Sequence, residues 1–258
     1  MNCLRFAFFP LAFLRSLTQG YREVTELHRV NNLSARNMSR AVKTLEIPQL
    51  DLDPVGASID EISEKLDKLN VRIPIDEINW EEFDYLPDVR FSMAYTEKAI
   101  LLKYYVNEKY FTAEKTETNQ NVYEDSCVEF FVSPDDDGIY YNLEFNAIGT
   151  CLMGSGSERA GRQRGNPSLI SEIRRKTKPL NNIRQSADGL YSWELTLAVP
   201  LKVLFRHSIG RLRGKTFRAN FFKCGDKLEI PHYVTWNPVN TPKPDFHRPE
   251  FFGNLKFV

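Results

Sequence analysis

A two-residue alternation of apolar and polar side chains recurs along this chain and constrains its fold more than any other feature. In an extended strand successive side chains point to opposite faces, so this period is typical of strands with one buried face. The segments that show it are VRFSMAY (89–95), AILLKYYVN (99–107), CVEFFVS (127–133), IYYNLEFNAIG (139–149), LYSWELTLAV (190–199), TFRANFFKC (216–224) and HYVTW (232–236). Many such strands with few helices between them predict a mainly β protein, an antiparallel β-sandwich.

Helical patterns are few and short. The segment SIDEISEKLDKL (58–69) begins with a capping box, Ser58 and Glu61, and its apolar residues recur at helical spacing. We predict that this helix packs at the edge of the sandwich. The segments PSLISEIRRK (167–176) and PLKVLF (200–205) predict a short helix and a helical turn, the second with proline at its first position.

Three connecting segments have distinctive compositions. The tetrapeptide DDDG (135–138) is typical of a hairpin turn. The Gly-, Ser- and Arg-rich stretch 153–167 predicts a long loop, a class that is often functional. In TWNPVNTPKPDFHRP (235–249) prolines separate aromatic residues, and because proline removes backbone donors this stretch is neither helix nor central strand. We predict a rigid loop at one end of the sandwich, followed by a last strand, GNLKFV (253–258).

Charge and composition restrict the class of protein and its organisation. Lys and Arg number 34, as do Asp and Glu, whereas general nucleic-acid binders carry a basic excess. The apolar run FAFFPLAFL (6–14) is too short to span a membrane, and no signal-peptide cleavage site follows it. We expect residues 1–37 to be a poorly structured extension or a misassigned start, and residues 38–258 to form one domain. The lack of a convincing signal peptide favours the cytoplasm.

The cysteines show no zinc-binding spacing. The chain has four of them, and no two form a C-x-x-C pair. Cys127, Cys151 and Cys224 lie in apolar stretches, which is typical of small buried side chains. From these spacings we expect no transition-metal site.

Polar side chains share one face on three of the predicted strands. These residues are Asn142, Glu144 and Asn146 on one strand, Glu129 on a second, and Arg218 and Asn220 on a third. A polar face on an antiparallel sheet is most often simply solvated. Amides, carboxylates and guanidinium groups, however, present paired donors and acceptors that match vicinal hydroxyl groups. Together with the aromatic loop, this face predicts a carbohydrate-binding site.

Four segments carry a resemblance to a known family. In order along the chain they are VYEDSCVEFFVSPDDDGIYYNLEFNAIGT, YSWELTLAVP, FRANFFKCG and YVTWNPVNTPKPDFHRPEFFGNLKF. This succession resembles the family 9 carbohydrate-binding modules, in the single-domain form common in gut bacteria that use polysaccharides, over roughly residues 40–258. The resemblance implies a β-sandwich related to DOMON domains, and non-catalytic binding at the ends of glycan chains.

The resemblance also implies roles for particular residues. The sugar is expected between two aromatic rings, which by position are Tyr123, where the family commonly has tryptophan, and Trp236. Glu129 is expected to accept a hydrogen bond from a sugar hydroxyl, and Arg159 to be the arginine of the site. With the polar faces and the aromatic loop, the full predicted ligand site is Tyr123, Glu129, Asn142, Glu144, Asn146, Arg159, Arg218, Trp236 and His247.

Other functions and ligands remain open at this stage. Glu129 and Glu144 are the pair of carboxyl groups that a glycoside hydrolase would need. A DOMON-like module that binds haem or another small ligand would need an axial pair, for which Met93 or Met153 with a histidine is the candidate. A pure protein-interaction sandwich is a further alternative. No cofactor is certain, although family members often carry structural calcium, for which the acidic stretches 51–53 and 135–137 are candidates.

Overall fold

The alternating segments form strands at nearly the predicted bounds. The computed structural model describes residues 41–53, 56–179 and 183–258, so the predicted extension at 1–37 lies outside the described residues. Within these ranges the strands are β1 (Thr44–Ile47), β2 (Ile73–Pro74), β3 (Glu77–Ile78), β4 (Asp88–Tyr95), β5 (Ala99–Glu108), β6 (Cys127–Ser133), β7 (Tyr140–Asn146), β8 (Cys151–Gly156), β9 (Gln163–Arg164), β10 (Arg174–Lys178), β11 (Tyr191–Pro200), β12 (Thr216–Cys224), β13 (Tyr233–Thr235) and β14 (Gly253–Phe257).

The strands form two sheets, as predicted for a β-sandwich. The larger sheet has the order β1–β14–β12–β6–β7–β8–β9, with β13 beside β12 and β3 beside β13. The smaller sheet has the order β10–β11–β5–β4–β2. Neighbouring strands run antiparallel, except that β1 pairs with β14 in parallel.

The main core lies between the two sheets. Its residues from the larger sheet are those that the alternation predicted, including Tyr141, Leu143 and Phe145 of β7. Phe221 of β12 stacks between Phe91 and Phe130, with ring centroids 3.9 and 5.1 Å away. Because the alternate residues of β6, β7 and β12 face the core, their polar neighbours point away from it, onto the outer face of the larger sheet.

The longest helix, α1 (Ile59–Lys68), covers the outer face of the smaller sheet. The Ser58 hydroxyl accepts a hydrogen bond of 3.1 Å from the Glu61 backbone N–H, which confirms the predicted cap. Ile62 and Leu66 are buried, and burying each contributes about 1.5–3 kcal/mol. The predicted position of α1 at the sandwich edge is wrong, because small side chains on the sheet face accommodate it. These small or apolar partners are Ala94, Ala99, Leu101 and Ala198.

Two other segments differ from their predictions. The short helix α2 ends at Ile170 (Pro167–Ile170), and the predicted continuation instead forms strand β10, which pairs with β11 at the sheet edge. The predicted loop 153–167 is largely a hairpin, because β8 continues to Gly156 and β9 pairs back onto it. Tertiary pairing overrides local propensity in both places. No helix of the described ranges has the length and apolar character needed to cross a membrane.

Candidate functional site

A cleft of about 420 Å³ opens on the outer face of the larger sheet. Its volume falls within the range of about 300–1,000 Å³ that is usual for small-molecule sites. Strands β6, β7, β8 and β12 form its floor through Glu129, Phe131, Asn142, Glu144, Leu152 and Cys224. The walls come from the turn Val122–Glu124, the β8–β9 hairpin, β13 and the loop that follows it. The cleft therefore lies where the polar strand faces were predicted to meet.

An outer apolar cluster holds the proline-rich loop against this sheet face. Its buried members are Trp80, Val122, Cys127, Phe131, Tyr140, Leu152, Phe222, Cys224, Val239, Phe246 and Phe252. Phe246 stacks on Phe222 at 4.1 Å between centroids, and Trp80 Nε1 donates to the Thr241 carbonyl at 2.8 Å. His247 Nδ1 lies 3.0 Å from the Tyr140 hydroxyl. These contacts hold the loop in place on the outer face of the larger sheet, rather than at one end of the sandwich as predicted, and they put Phe246 and His247 in the wall of the cleft.

A hydrogen-bonded network orients the polar groups of the floor. Arg162 Nε donates to Asn142 Oδ1 at 2.9 Å, and its Nη2 donates to the Tyr140 carbonyl at 3.0 Å. The same guanidinium lies 4.1 Å above the Tyr140 ring, a cation–π contact. Asn142 Nδ2 in turn donates to Glu144 Oε1 at 2.8 Å, whereas no donor from the described residues reaches the buried Glu144 Oε2. One oxygen of the Glu144 carboxyl group is thus held in place, and the other has no hydrogen-bond partner among the described residues.

The hairpin wall makes one side of the cleft positive. It contributes three guanidinium groups, from Arg159, Arg162 and Arg164. Burial and these three positive charges lower the pKa of His247 to about 3. His247 therefore presents a neutral imidazole at neutral pH, able to exchange hydrogen bonds in either direction.

The carboxyl groups of the cleft hold their protons more tightly than usual. Burial raises the pKa of Glu144 from 4.5 to about 7. Burial also raises the pKa of Asp226 from 3.8 to about 6. The pKa of Glu129 is raised well above 4.5, first by burial and then by the neighbouring Cys224. A protonated carboxyl group donates as well as accepts hydrogen bonds. This floor therefore suits hydroxyl groups, which also do both, better than a floor of fixed negative charges would.

Glu144 should make the stability of the protein fall as the pH rises. The pKa of Glu144 is about 7 in the folded protein and ordinarily 4.5, so the folded state binds the proton more tightly than the unfolded state does. The resulting stabilisation is complete below about pH 4.5 and is lost as the pH rises to about 7. In denaturant titrations between about pH 4.5 and pH 8, Glu144→Gln should reduce the wild-type fall in unfolding free energy by on the order of 1–3 kcal/mol. Glu46→Gln, at an exposed site on β1, is the control and should leave the profile unchanged. If Glu144→Gln and Glu46→Gln show the same dependence of unfolding free energy on pH, Glu144 is not the group responsible for the fall.

The structure brings six of the nine predicted site residues together. These are Tyr123, Glu129, Asn142, Glu144, Arg159 and His247, which all line the cleft. Asn146 instead lies at the end of β7, where its amide donates to the Lys115 carbonyl and to Asp125. Arg218 binds the carbonyls of Glu250 and Phe252 and so holds the C-terminal loop. Neither residue lines the cleft, because the side chain of each holds a neighbouring backbone segment by hydrogen bonds.

The predicted position of Trp236 is wrong. Its side chain is 2% exposed and belongs to the main core between the sheets. It packs edge-on against Phe91 and Phe221, with centroids 6.4 and 5.6 Å away. The reason is strand alternation, since Val234 and Trp236 share the core side, whereas Tyr233 points the other way and lines the cleft.

Several cleft residues were missed from the sequence. The alternation that served for the other strands would have identified Tyr233 had it been applied to β13. Arg162 and Arg164 lie in the same Arg-rich stretch as Arg159, and composition alone does not say which of the three reaches the floor. Cys224 lies on the same side of β12 as Arg218 and Asn220, so alternation alone places it on the polar face, whereas Asp226 follows the end of β12 and gave no sequence signal.

The described residues contain one group of three potential metal ligands, Cys127, Glu129 and Cys224. The acidic stretches 51–53 and 135–137, considered for calcium, form no such group within the described part of the chain. Met93 and Met153, considered as haem ligands, are both buried in the main core between the sheets.

Comparison with known proteins gives a consistent assignment. The model of carbohydrate-binding family 9 matches residues 60–257. A solved structure from Bacteroides uniformis, provisionally described as a carbohydrate-binding protein, is 36% identical with a TM-score of 0.78, and the match covers 84% of this chain and 100% of that chain. No curated protein matches the chain.

More distant structures share the fold. A family 9 carbohydrate-binding module from Caldicellulosiruptor kristjanssonii in complex with glucose is 12% identical with a TM-score of 0.53, and the match covers 84% of this chain and 96% of that chain. A family 9 module from the same organism in complex with cellotriose is 14% identical with a TM-score of 0.51, covering 83% and 93%.

Proposed function

The chain belongs to carbohydrate-binding family 9, and we propose that its outer cleft binds a mono- or oligosaccharide without cleaving it. The observation that carries this proposal is the Arg162–Asn142–Glu144 network, which ends on a carboxylate oxygen with no donor among the described residues. A buried polar oxygen left without a hydrogen-bond partner costs about 1–3 kcal/mol. A sugar hydroxyl would remove this cost on binding, because it can donate to Glu144 Oε2 when the carboxyl group is ionised and accept from it when protonated.

Aromatic side chains supply the apolar part of the proposed site. Tyr123 and Tyr233 both line the cleft and are half-buried, so part of each ring is open. Tyr233 is supported edge-on by Phe83, with centroids 4.8 Å apart, which keeps its ring from turning freely. The C–H face of a pyranose packs well on such rings, and Tyr233 takes the second ring position that was predicted for Trp236.

Non-catalytic binding is favoured over hydrolysis by the protonation of the two glutamates, which are direct partners in the register of β6 and β7. A glycoside hydrolase needs one carboxyl group protonated as the acid and the other ionised as nucleophile or base. Burial raises the pKa of both Glu129 and Glu144, so neither is held in the ionised state. Glu129 Oε1 also accepts a hydrogen bond of 3.1 Å from the Cys224 thiol, which engages it inside the floor.

Alanine at either tyrosine should weaken sugar binding by about tenfold or more, since a stacked ring is worth on the order of 1 kcal/mol beyond its buried area. A glycan array first identifies the ligand, with glucose and cellotriose among the probes. Isothermal titration calorimetry then measures its affinity for the wild type, Tyr123→Ala and Tyr233→Ala. Tyr110→Ala is the matched control, because Tyr110 is also half-buried but lies outside the cleft.

Three results would contradict the proposal. If no saccharide binds, or if Tyr110→Ala weakens binding as much as the cleft variants, the outer cleft is not the site. If the wild type releases sugar from the bound oligosaccharide and Glu144→Gln abolishes that release, the protein is a hydrolase instead.

A further inference from the structure

Three side chains with metal-binding atoms meet beside the cleft, and two of them, Glu129 and Cys224, line it. They are Cys127, Glu129 and Cys224, whose ligand atoms all lie within 4.8 Å of one another. Glu129 Oε1 lies 3.1 Å from Cys224 Sγ and 4.0 Å from Cys127 Sγ. Neither the family match nor the proposed sugar contacts assign a role to the two thiols.

The backbone, rather than flexible side chains, sets this arrangement. Cys127 and Cys224 are direct partners in the register of β6 and β12. Glu129 lies two residues beyond Cys127 on the same strand and therefore on the same face. All three are almost fully buried, with exposed fractions of 0, 3 and 1% for Cys127, Glu129 and Cys224. A ligand set held by paired strands is organised before an ion arrives.

The spacing agrees with tetrahedral coordination. Zinc binds thiolate sulfur at about 2.3 Å and carboxylate oxygen at about 2.0–2.2 Å, so two such ligands at the tetrahedral angle lie about 3.6 Å apart. The two sulfur–oxygen distances, 3.1 and 4.0 Å, fall on either side of this value. The two sulfur atoms lie within 4.8 Å of each other, against about 3.8 Å for two thiolates on one zinc ion, so closing the set needs shifts of about half an ångström to one ångström.

We infer that Cys127, Glu129 and Cys224 form a binding site for a thiophilic divalent cation of the Zn²⁺ class. Glu129 and Cys224 line the cleft, so an ion can enter from it. On binding, the two thiols and the Glu129 carboxyl group release their protons to solvent, and the two thiolates and the carboxylate leave one net negative charge around the ion. The guanidinium groups of the hairpin wall offset that charge.

Cobalt titration of the reduced full chain tests this site. Every sample carries Cys3→Ser, so that thiolate signals come from the other three cysteines. Co²⁺ should produce a thiolate-to-cobalt charge-transfer band, and Zn²⁺ should displace it. Cys127→Ala and Cys224→Ala should each lose the band and bind Zn²⁺ at least about tenfold more weakly, since even outer-shell partners of a metal cost that much. Cys151→Ala is the control, because Cys151 is equally buried but faces the main core.

X-ray absorption on the zinc-loaded protein tests the same inference without a variant at the three ligand positions. Two sulfur ligands with the remainder oxygen or nitrogen support the site, whether or not the alanine variants fold. Zinc without sulfur ligands, no charge-transfer band, or a band lost equally in Cys151→Ala would overturn it, and the thiols would then be small buried side chains only. These readouts do not involve sugar, so they succeed or fail independently of the proposed glycan binding.

Discussion

Trp236→Ala should lower the free energy of unfolding by about 3–5 kcal/mol, the usual cost of removing a buried tryptophan. The side chain is 2% exposed and closes the core between the sheets against Phe91 and Phe221. It is packed so closely on β14 that a Cβ atom at Gly253 would lie 2.4 Å from its ring. The surroundings therefore cannot collapse into the space that the ring leaves.

Thermal and denaturant unfolding measure this loss, and a fall in melting temperature on the order of 10 °C is expected for a domain of this size. Phe251→Ala, a half-buried aromatic residue in the same C-terminal region, is the control and should cost less. Sugar affinity of the folded Trp236→Ala protein should change little. A melting temperature near that of the wild type together with lost sugar binding would show that Trp236 belongs to the site.

Lys223→Met should also cost about 3–5 kcal/mol of unfolding free energy, because it leaves a buried carboxylate without its counter-charge. Lys223 Nζ lies 2.8 Å from Glu108 Oε2, and both side chains are 0% exposed. Glu108 ends β5 in the smaller sheet and Lys223 lies on β12 in the larger one, so the pair joins the two sheets. Trp193 Nε1 donates to Glu108 Oε1 at 2.7 Å.

A double variant and a surface pair provide the controls. Glu108→Gln combined with Lys223→Met removes both charges and keeps an acceptor for the tryptophan, so it should be less destabilised than Lys223→Met alone. Lys202→Met breaks an exposed ion pair with Glu172 at 2.9 Å and should cost no more than about 1 kcal/mol. Purely additive losses in the double variant would show that the two charges do not stabilise one another.

Burial and the paired lysine together keep His232 neutral. Its Nε2 lies 2.9 Å from Lys223 Nζ, and burial together with that positive charge lowers its pKa to about 2. A neutral imidazole that accepts from the lysine is consistent with this value. The pair thus organises a buried polar group at one end of the core, beside the strand that carries Tyr233 into the cleft.

Local sequence patterns determined where the strands lie and how α1 is capped. They also determined which face of the sheet each side chain of β6, β7 and β12 occupies. Alternation and capping act over two to four residues, so they can be read without knowledge of the fold. They placed Glu129, Asn142 and Glu144 on one polar face, and the structure puts all three in the cleft. The order of motifs along the chain was enough to predict the family.

Only the tertiary structure decided which residues meet. Cys127 and Cys224 lie far apart in the sequence, and strand pairing makes them neighbours. Arg162 rather than Arg159 reaches Asn142, because the β8–β9 hairpin turns it over the Tyr140 ring. Trp236 was assigned to the cleft because aromatic composition does not say on which side of a sheet a ring lies. Alternation places Trp236 on the same side of β13 as Val234, and the pairing of β13 with β12 in the larger sheet makes this the core side.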